Sequence, residues 1–67
     1  MSVNKKALQK LRLEYKAAFT AYMSSVQTLS DADLRRERPS EEVLADEARA
    51  LQRLLGAREA LLKALDQ

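Results

Sequence analysis

Apolar residues recur in the first half of the chain with alternating spacings of three and four residues. This stripe consists of Leu8, Leu11, Tyr15, Ala18, Tyr22, Ser25 and Leu29. The spacing places all of them on one side of an α-helix, as in the seam of a coiled coil. Phe19 and Val26 widen the stripe on one side. The pattern predicts a first helix over about residues 4–29, with Asn4 or Ser2 as its N-cap.

The last third of the chain carries a second stripe, which is rich in leucine. It consists of Leu44, Leu51, Leu54, Leu55, Leu61, Leu62 and Leu65, flanked by Ala50, Ala57 and Ala64. Ser40 can cap this segment, and Glu41 and Glu42 favour a helix start in its first turn. We therefore expect a second helix over about residues 41–66. Its broad leucine strip and small-residue flank are typical of a helix that packs against two neighbours.

Residues 30–40 connect the two predicted helices. Ser30 followed by Asp31 resembles an N-cap with an acidic first turn, which predicts a short helical turn inside the connection. Pro39 then disfavours the α conformation of the residue before it. A break at this serine also leaves two helices of equal length, which bury each other without overhang. The alternative is a first helix that continues unbroken to about Glu37.

The composition supports an all-α fold. Gly56 is the only glycine and Pro39 the only proline, so few residues interrupt a helix. Two helices with a short connection predict an antiparallel helical hairpin that forms a single domain. A hairpin of this size buries little apolar surface, and the chain contains no cysteine that could staple it. We therefore expect a homodimer that joins two hairpins into a four-helix bundle, with a helical segment of another protein as the alternative partner.

The predicted self-association surface combines large residues of both stripes with two charged residues that interrupt the second. It consists of Leu8, Leu11, Tyr15, Phe19, Tyr22, Glu47, Leu51, Leu54, Arg58, Leu61 and Leu65. Glu47 and Arg58 have two alternative interpretations. They extend to the edge of the interface, because long charged side chains can lie along apolar surface, or they pair between two antiparallel copies of the second helix. Such a pair would fix the register of the dimer more than it stabilises it.

The sequence offers little for catalysis. It has no Cys or His to act as nucleophile or base, and no glycine-rich loop to bind phosphates. Neighbouring acids such as Glu41 and Glu42, or Asp46 and Glu47, are ordinary near a helix N-terminus, so we expect no metal and no cofactor. The apolar runs are too short to span a membrane, and the first residues lack the apolar stretch of a signal peptide. We expect a cytoplasmic protein that is not an enzyme.

Charge is distributed unevenly along the chain. Residues 1–29 hold five basic residues and one acidic residue, whereas residues 30–67 hold seven basic and nine acidic residues. The basic residues of the first helix are Lys5, Lys6, Lys10, Arg12 and Lys16. They could contact the phosphates of a nucleic acid. Helical spacing divides them, however, with Lys6 and Lys10 on a different side from the others, and the overall net charge is only +2.

In size and layout the chain is similar to the Rop-type RNA-binding hairpins, which pair two hairpins into a four-helix bundle. The similarity concerns architecture, and it implies a nucleic-acid-binding alternative that uses the basic first helix. Our main expectation is an interaction or assembly module that acts through helix–helix contacts, as an adaptor, a small regulator or a structural subunit. The apolar surface beyond the needs of one hairpin favours this expectation.

Overall fold

Two α-helices packed side by side make up the protein. The computed structural model describes residues 5–66, which form α1 (Lys5–Leu34) and α2 (Glu41–Leu65) without any β-strand between them. The chain reverses in residues 35–40, so the two helices run antiparallel, and the predicted all-α hairpin is confirmed. The caps proposed for the first helix, Asn4 and Ser2, lie outside the described residues. Within residues 5–66, neither helix has a segment long and apolar enough to cross a lipid bilayer.

The first helix does not break at Ser30, so the predicted short helical turn is wrong. Residues 30–34 continue α1, and Nε2 of Gln27 donates a hydrogen bond to Oδ1 of Asp31 at 3.0 Å across the proposed break. Ala32 is buried at the next position of the apolar stripe, which therefore extends beyond Leu29. The continuous helix was the better alternative, although it ends three residues before Glu37.

A left-handed residue ends α1. Arg36 has a φ of 57°, and its N–H donates to the carbonyl oxygen of Asp33 at 3.0 Å. The N–H of Glu37 donates to the carbonyl oxygen of Ala32 at 2.9 Å. These two bonds form a Schellman motif, which satisfies carbonyl groups left without partners at a helix C-terminus. Glycine is the usual residue at this position, so an arginine here carries no sequence signal of the helix end.

The start of α2 follows its sequence signals. The Ser40 side chain accepts a hydrogen bond from the backbone N–H of Val43 at 3.2 Å, as an N-cap does. Glu41 and Glu42 occupy the first turn, where carboxylates interact favourably with the helix dipole. The helix ends at Leu65, one residue before the predicted boundary. The predicted second helix is thus confirmed.

The two helices meet along one regular seam. Its members are Leu8, Leu11, Tyr15, Ala18, Tyr22, Ser25, Leu29 and Ala32 of α1 with Val43, Glu47, Ala50, Leu54, Ala57, Leu61 and Ala64 of α2; we call this set the inner seam. All of them are buried or half-buried, and they alternate by three and four residues as coiled-coil positions do. The hydroxyl of Ser25 donates to the carbonyl oxygen of Ala21 at 3.3 Å, so this polar group is satisfied within its own helix.

The alanines of α2, rather than most of its leucines, face α1. Ala50, Ala57 and Ala64 belong to the inner seam, whereas Leu44 and Leu55 are exposed. The predicted arrangement, with a leucine strip inside and an alanine flank, is therefore wrong for this helix. Small side chains allow two helix axes to approach closely. The other leucines of α2 consequently remain on the outside of the hairpin, whereas Leu54 and Leu61 belong to the inner seam.

The core inside the hairpin is small. Only Ala18, Ala32 and Leu61 are buried among the described residues. The Cα radius of gyration is 15.3 Å, whereas a compact domain of this length has a radius of about 11 Å. The Cα trace measures 52 × 14 × 14 Å, so the protein is a rod two helices wide.

Candidate interaction face

Glu14 and Arg53 show which sides of the two helices lie together. Nε of Arg53 donates a hydrogen bond to Oε1 of Glu14 at 2.9 Å across the hairpin. Each of these residues immediately precedes an inner-seam residue, Tyr15 on α1 and Leu54 on α2. Because the helices are antiparallel, residues that precede a seam residue share one side of the hairpin. Residues that follow a seam residue share the opposite side.

Eight large apolar residues directly follow a seam residue and therefore lie on the same side. They are Phe19, Met23 and Val26 of α1 with Leu44, Leu51, Leu55, Leu62 and Leu65 of α2; we call this surface the leucine face. Val26 and Leu51 are half-buried, and each of the other six is between 45% and 53% exposed. Monomeric proteins rarely expose a continuous apolar stripe, and such a stripe marks a candidate interaction site.

The structure divides the predicted self-association residues between two surfaces. Seven of them belong to the inner seam and pack within one hairpin: Leu8, Leu11, Tyr15, Tyr22, Glu47, Leu54 and Leu61. The other four lie on the side of the leucine face: Phe19, Leu51, Arg58 and Leu65. A contact between subunits through the first group would require the hairpin to open. The second group lies on an outer side of the hairpin, where a partner can contact it without opening the two helices.

Five residues of the leucine face, Val26 and four exposed side chains, were not among the predicted site residues. Met23, Leu44, Leu55 and Leu62 are all exposed there. The signal for the three leucines was present, because positions 44, 48, 51, 55, 58, 62 and 65 form a second stripe with alternating spacings of four and three residues. This stripe differs from the inner seam of α2 by one position, and periodicity alone cannot separate the two.

Glu47 and Arg58 lie in different environments. Glu47 is half-buried in the inner seam, whereas Arg58 is exposed within the stripe of the leucine face. Neither forms an ion pair with another residue of the described chain. The predicted pairing of these two residues between subunits stays a prediction, and its geometry is unfavourable because Glu47 faces α1 of its own hairpin.

The charges along the leucine face differ between its two ends. At the open end, where α1 begins and α2 ends, the positions that follow seam residues hold Arg12, Lys16 and Arg58. Lys5 lies seven residues before Arg12, on the same side of α1. At the connection end, Asp33 and Glu41 occupy the corresponding positions. The flanking positions on the two helices are therefore basic at the open end and acidic at the connection end, although the connection itself also holds Arg35, Arg36 and Arg38.

The basic residues of α1 do not form one continuous patch. Lys5, Arg12 and Lys16 lie on the side of the leucine face, Lys10 precedes Leu11 and so lies on the side of Glu14, and Lys6 lies away from the seam. This division weakens the case for a nucleic-acid interface, which requires cations that follow one backbone. Within residues 5–66, no group of three or more acidic side chains is arranged to hold a metal ion.

Comparison of the chain with protein-family models, curated proteins and solved structures returned no match. The geometry of the hairpin is therefore the basis for inferring its function.

Proposed function

We propose that this protein is a non-enzymatic interaction or assembly module whose leucine face binds a helical surface of another polypeptide. The observation that carries the proposal is the exposure of six large apolar side chains in one stripe along a rod. The same rod buries only three residues among those described, two of which are alanines. Covering the stripe would remove further apolar surface from water, and that burial favours association.

The shape of the face also suggests a helical partner. Its residues lie on two antiparallel helices, and the stripe on α2 keeps the alternating spacing of a coiled-coil seam from Leu44 to Leu65. Side chains with this spacing interdigitate with those of another helix that runs alongside. The partner that fits is therefore one or two helices with their own apolar stripe.

A photo-crosslinking amino acid at Leu55 tests this proposal in cells of the source organism. Because this side chain lies within the leucine face, we expect a covalent adduct with a polypeptide, identified by mass spectrometry and reproduced with the purified components. Gln52 provides the matched control, since it is exposed on the same helix but away from the face. An equal adduct at both positions, or none at either, would contradict the proposal.

The same experiment distinguishes helix binding from the alternative function, which is nucleic-acid binding. An adduct at Leu55 that is lost on nuclease treatment would indicate a nucleic acid rather than a helix. In that case, charge removal at Arg12 and Lys16 should reduce the adduct, and its yield should fall steeply with salt concentration.

A further inference from the structure

We infer that the leucine face binds a second copy of this chain, with the two hairpins antiparallel and Arg58 of one subunit opposite Glu41 of the partner subunit. This inference rests on the proposed function, because it names the polypeptide that covers the face. It specifies the orientation and the register of the contact. Both follow from surface area, charge and the spacing of the stripe on α2.

The surface area of the hairpin matches the needs of a dimer. The protein exposes 5651 Å², whereas a compact monomeric protein of 7.6 kDa exposes about 4,300 Å². The excess is roughly 1,300 Å², and a standard interface removes about 800 Å² from each partner. One copy of the same rod, laid along the leucine face, is long enough to cover the middle of the stripe, including Leu44, Leu51 and Leu55.

The charge distribution selects the antiparallel orientation. Two hairpins packed face to face through a twofold axis have only two simple arrangements. If both connections lie at the same end, α1 of one subunit lies against α2 of the other, and Arg12 meets Arg58 of the partner subunit at the basic end. If the connections lie at opposite ends, each basic end meets an acidic end. Opposite charges attract and like charges repel at such an interface, which favours the second arrangement.

In the antiparallel arrangement α2 of one subunit lies against α2 of the other. A twofold axis between Arg49 and Ala50 brings Arg58 opposite Glu41 of the partner subunit. The same register brings Leu55 opposite Leu44 of the partner subunit, and Leu51 opposite Ala48 of the partner subunit. A shift by one heptad would instead set Arg58 against that alanine and leave Glu41 facing a leucine. The charged pair thus fixes one register among those that the apolar stripe allows.

Light scattering and sedimentation equilibrium on the full chain test the stoichiometry. We expect a mass of about twice the 7.6 kDa of one chain and a melting temperature that rises with protein concentration. A monomer at every concentration would overturn the second copy as the occupant. If such a monomer still forms the protein adduct at Leu55 described above, the proposed function stands. If it forms none, both proposals fail.

Charge reversal tests the register. Arg58→Glu and Glu41→Arg should each weaken the dimer, by about tenfold in the association constant, and the double variant should recover most of this loss. Arg58→Glu combined with Glu42→Arg is the matched control, because Glu42 occupies the same first turn but precedes the seam residue Val43 and so lies on the side away from the leucine face. Equal recovery of the association constant in the control, or no recovery when Arg58→Glu is combined with Glu41→Arg, would overturn the register.

Disulfide formation tests the same register without reversing any charge. It therefore does not require a charge-reversed variant to fold. The chain contains no cysteine, so single cysteines report only the introduced contact. A mixture of Glu41→Cys and Arg58→Cys chains should form a mixed disulfide dimer, whereas Glu42→Cys with Arg58→Cys should not. Preferential crosslinking of Arg12→Cys with Arg58→Cys would show that the connections lie at the same end and overturn the antiparallel orientation.

Discussion

Arg53 on α2 donates a hydrogen bond to Glu14 on α1, and this ion pair closes the side of the hairpin opposite the leucine face. Both side chains are about half exposed, so the pair contributes little to stability. Its structural meaning lies in alignment, since it marks the level at which one helix lies beside the other. Among the described residues, no ion pair joins α1 and α2 on the side of the leucine face.

The first prediction concerns the acidity of Glu14. The hydrogen bond from Arg53, together with the attraction of the guanidinium charge, holds the pKa of Glu14 below its ordinary value. Arg53→Met should therefore raise the pKa of Glu14 towards that of a free glutamate. A carboxyl-carbon NMR titration measures this shift directly. Arg49→Met is the control, because Arg49 pairs with Asp46 and leaves Glu14 untouched.

The sign of the pH dependence follows from the same contact. Because the pKa of Glu14 is lowered by folding, the unfolded chain binds more protons in acid than the folded chain does. The contribution of the pair is therefore present at neutral pH and is lost as the pH falls through the lowered pKa. A titration in which Arg53→Met leaves the pKa of Glu14 unchanged would contradict the contact.

The second prediction is that Arg36→Gly stabilises the protein by about 1 kcal/mol, because a left-handed backbone costs a residue with a Cβ atom about that much. Thermal unfolding should show a melting temperature higher by about 4–8 °C. Arg38→Gly is the control, and it should lower the melting temperature because glycine adds entropy to the unfolded chain without relieving strain. A lower melting temperature for Arg36→Gly would place the end of α1 elsewhere.

The third prediction separates the two serines that the sequence proposes as caps. Ser40→Ala should cost about 1 kcal/mol of unfolding free energy, because it removes the acceptor for the N–H of Val43. Ser30→Ala should be nearly neutral, since Ser30 lies inside α1 and alanine is the better helix former. Urea unfolding curves measure both changes. An equal loss for both variants would restore the break at Ser30.

The fourth prediction concerns Gly56 in the middle of α2. A Cβ atom added at this residue would meet nothing within 4 Å beyond its chain neighbours and the backbone of its own helix, so Gly56→Ala should stabilise the protein by about 1 kcal/mol through helix propensity alone. Ala60→Gly, also exposed on α2, should destabilise it by a similar amount. If Gly56→Ala instead reduces stability or association, a partner contacts the backbone at this residue.

Local sequence signals did not predict where α1 ends, because a left-handed backbone conformation terminates the helix. Ser30 and Asp31 have the composition of a helix start, yet the side chain of Asp31 bonds to Gln27 one turn earlier. The helix ends at Leu34, and the left-handed residue that follows it is Arg36, a residue type that carries no signal for this conformation. By contrast, Ser40 and the acids that follow it marked the start of α2 correctly, because an N-cap is a local hydrogen bond between residues three apart.

The sequence by itself determined that two long helices form and that they pair as a hairpin, because the three-four spacing and the Ser40 cap are local properties. Only the tertiary structure decided which stripe of α2 faces inward. Two stripes one position apart both fit the spacing, and the one with Ala50 and Ala57 packs against α1, where Ala18 lies fully buried. Small residues on both helices allow close approach of the backbones, a property of the pair that neither helix shows alone. Leu55 and its neighbours are exposed as a consequence, and the candidate interaction face is therefore a product of packing.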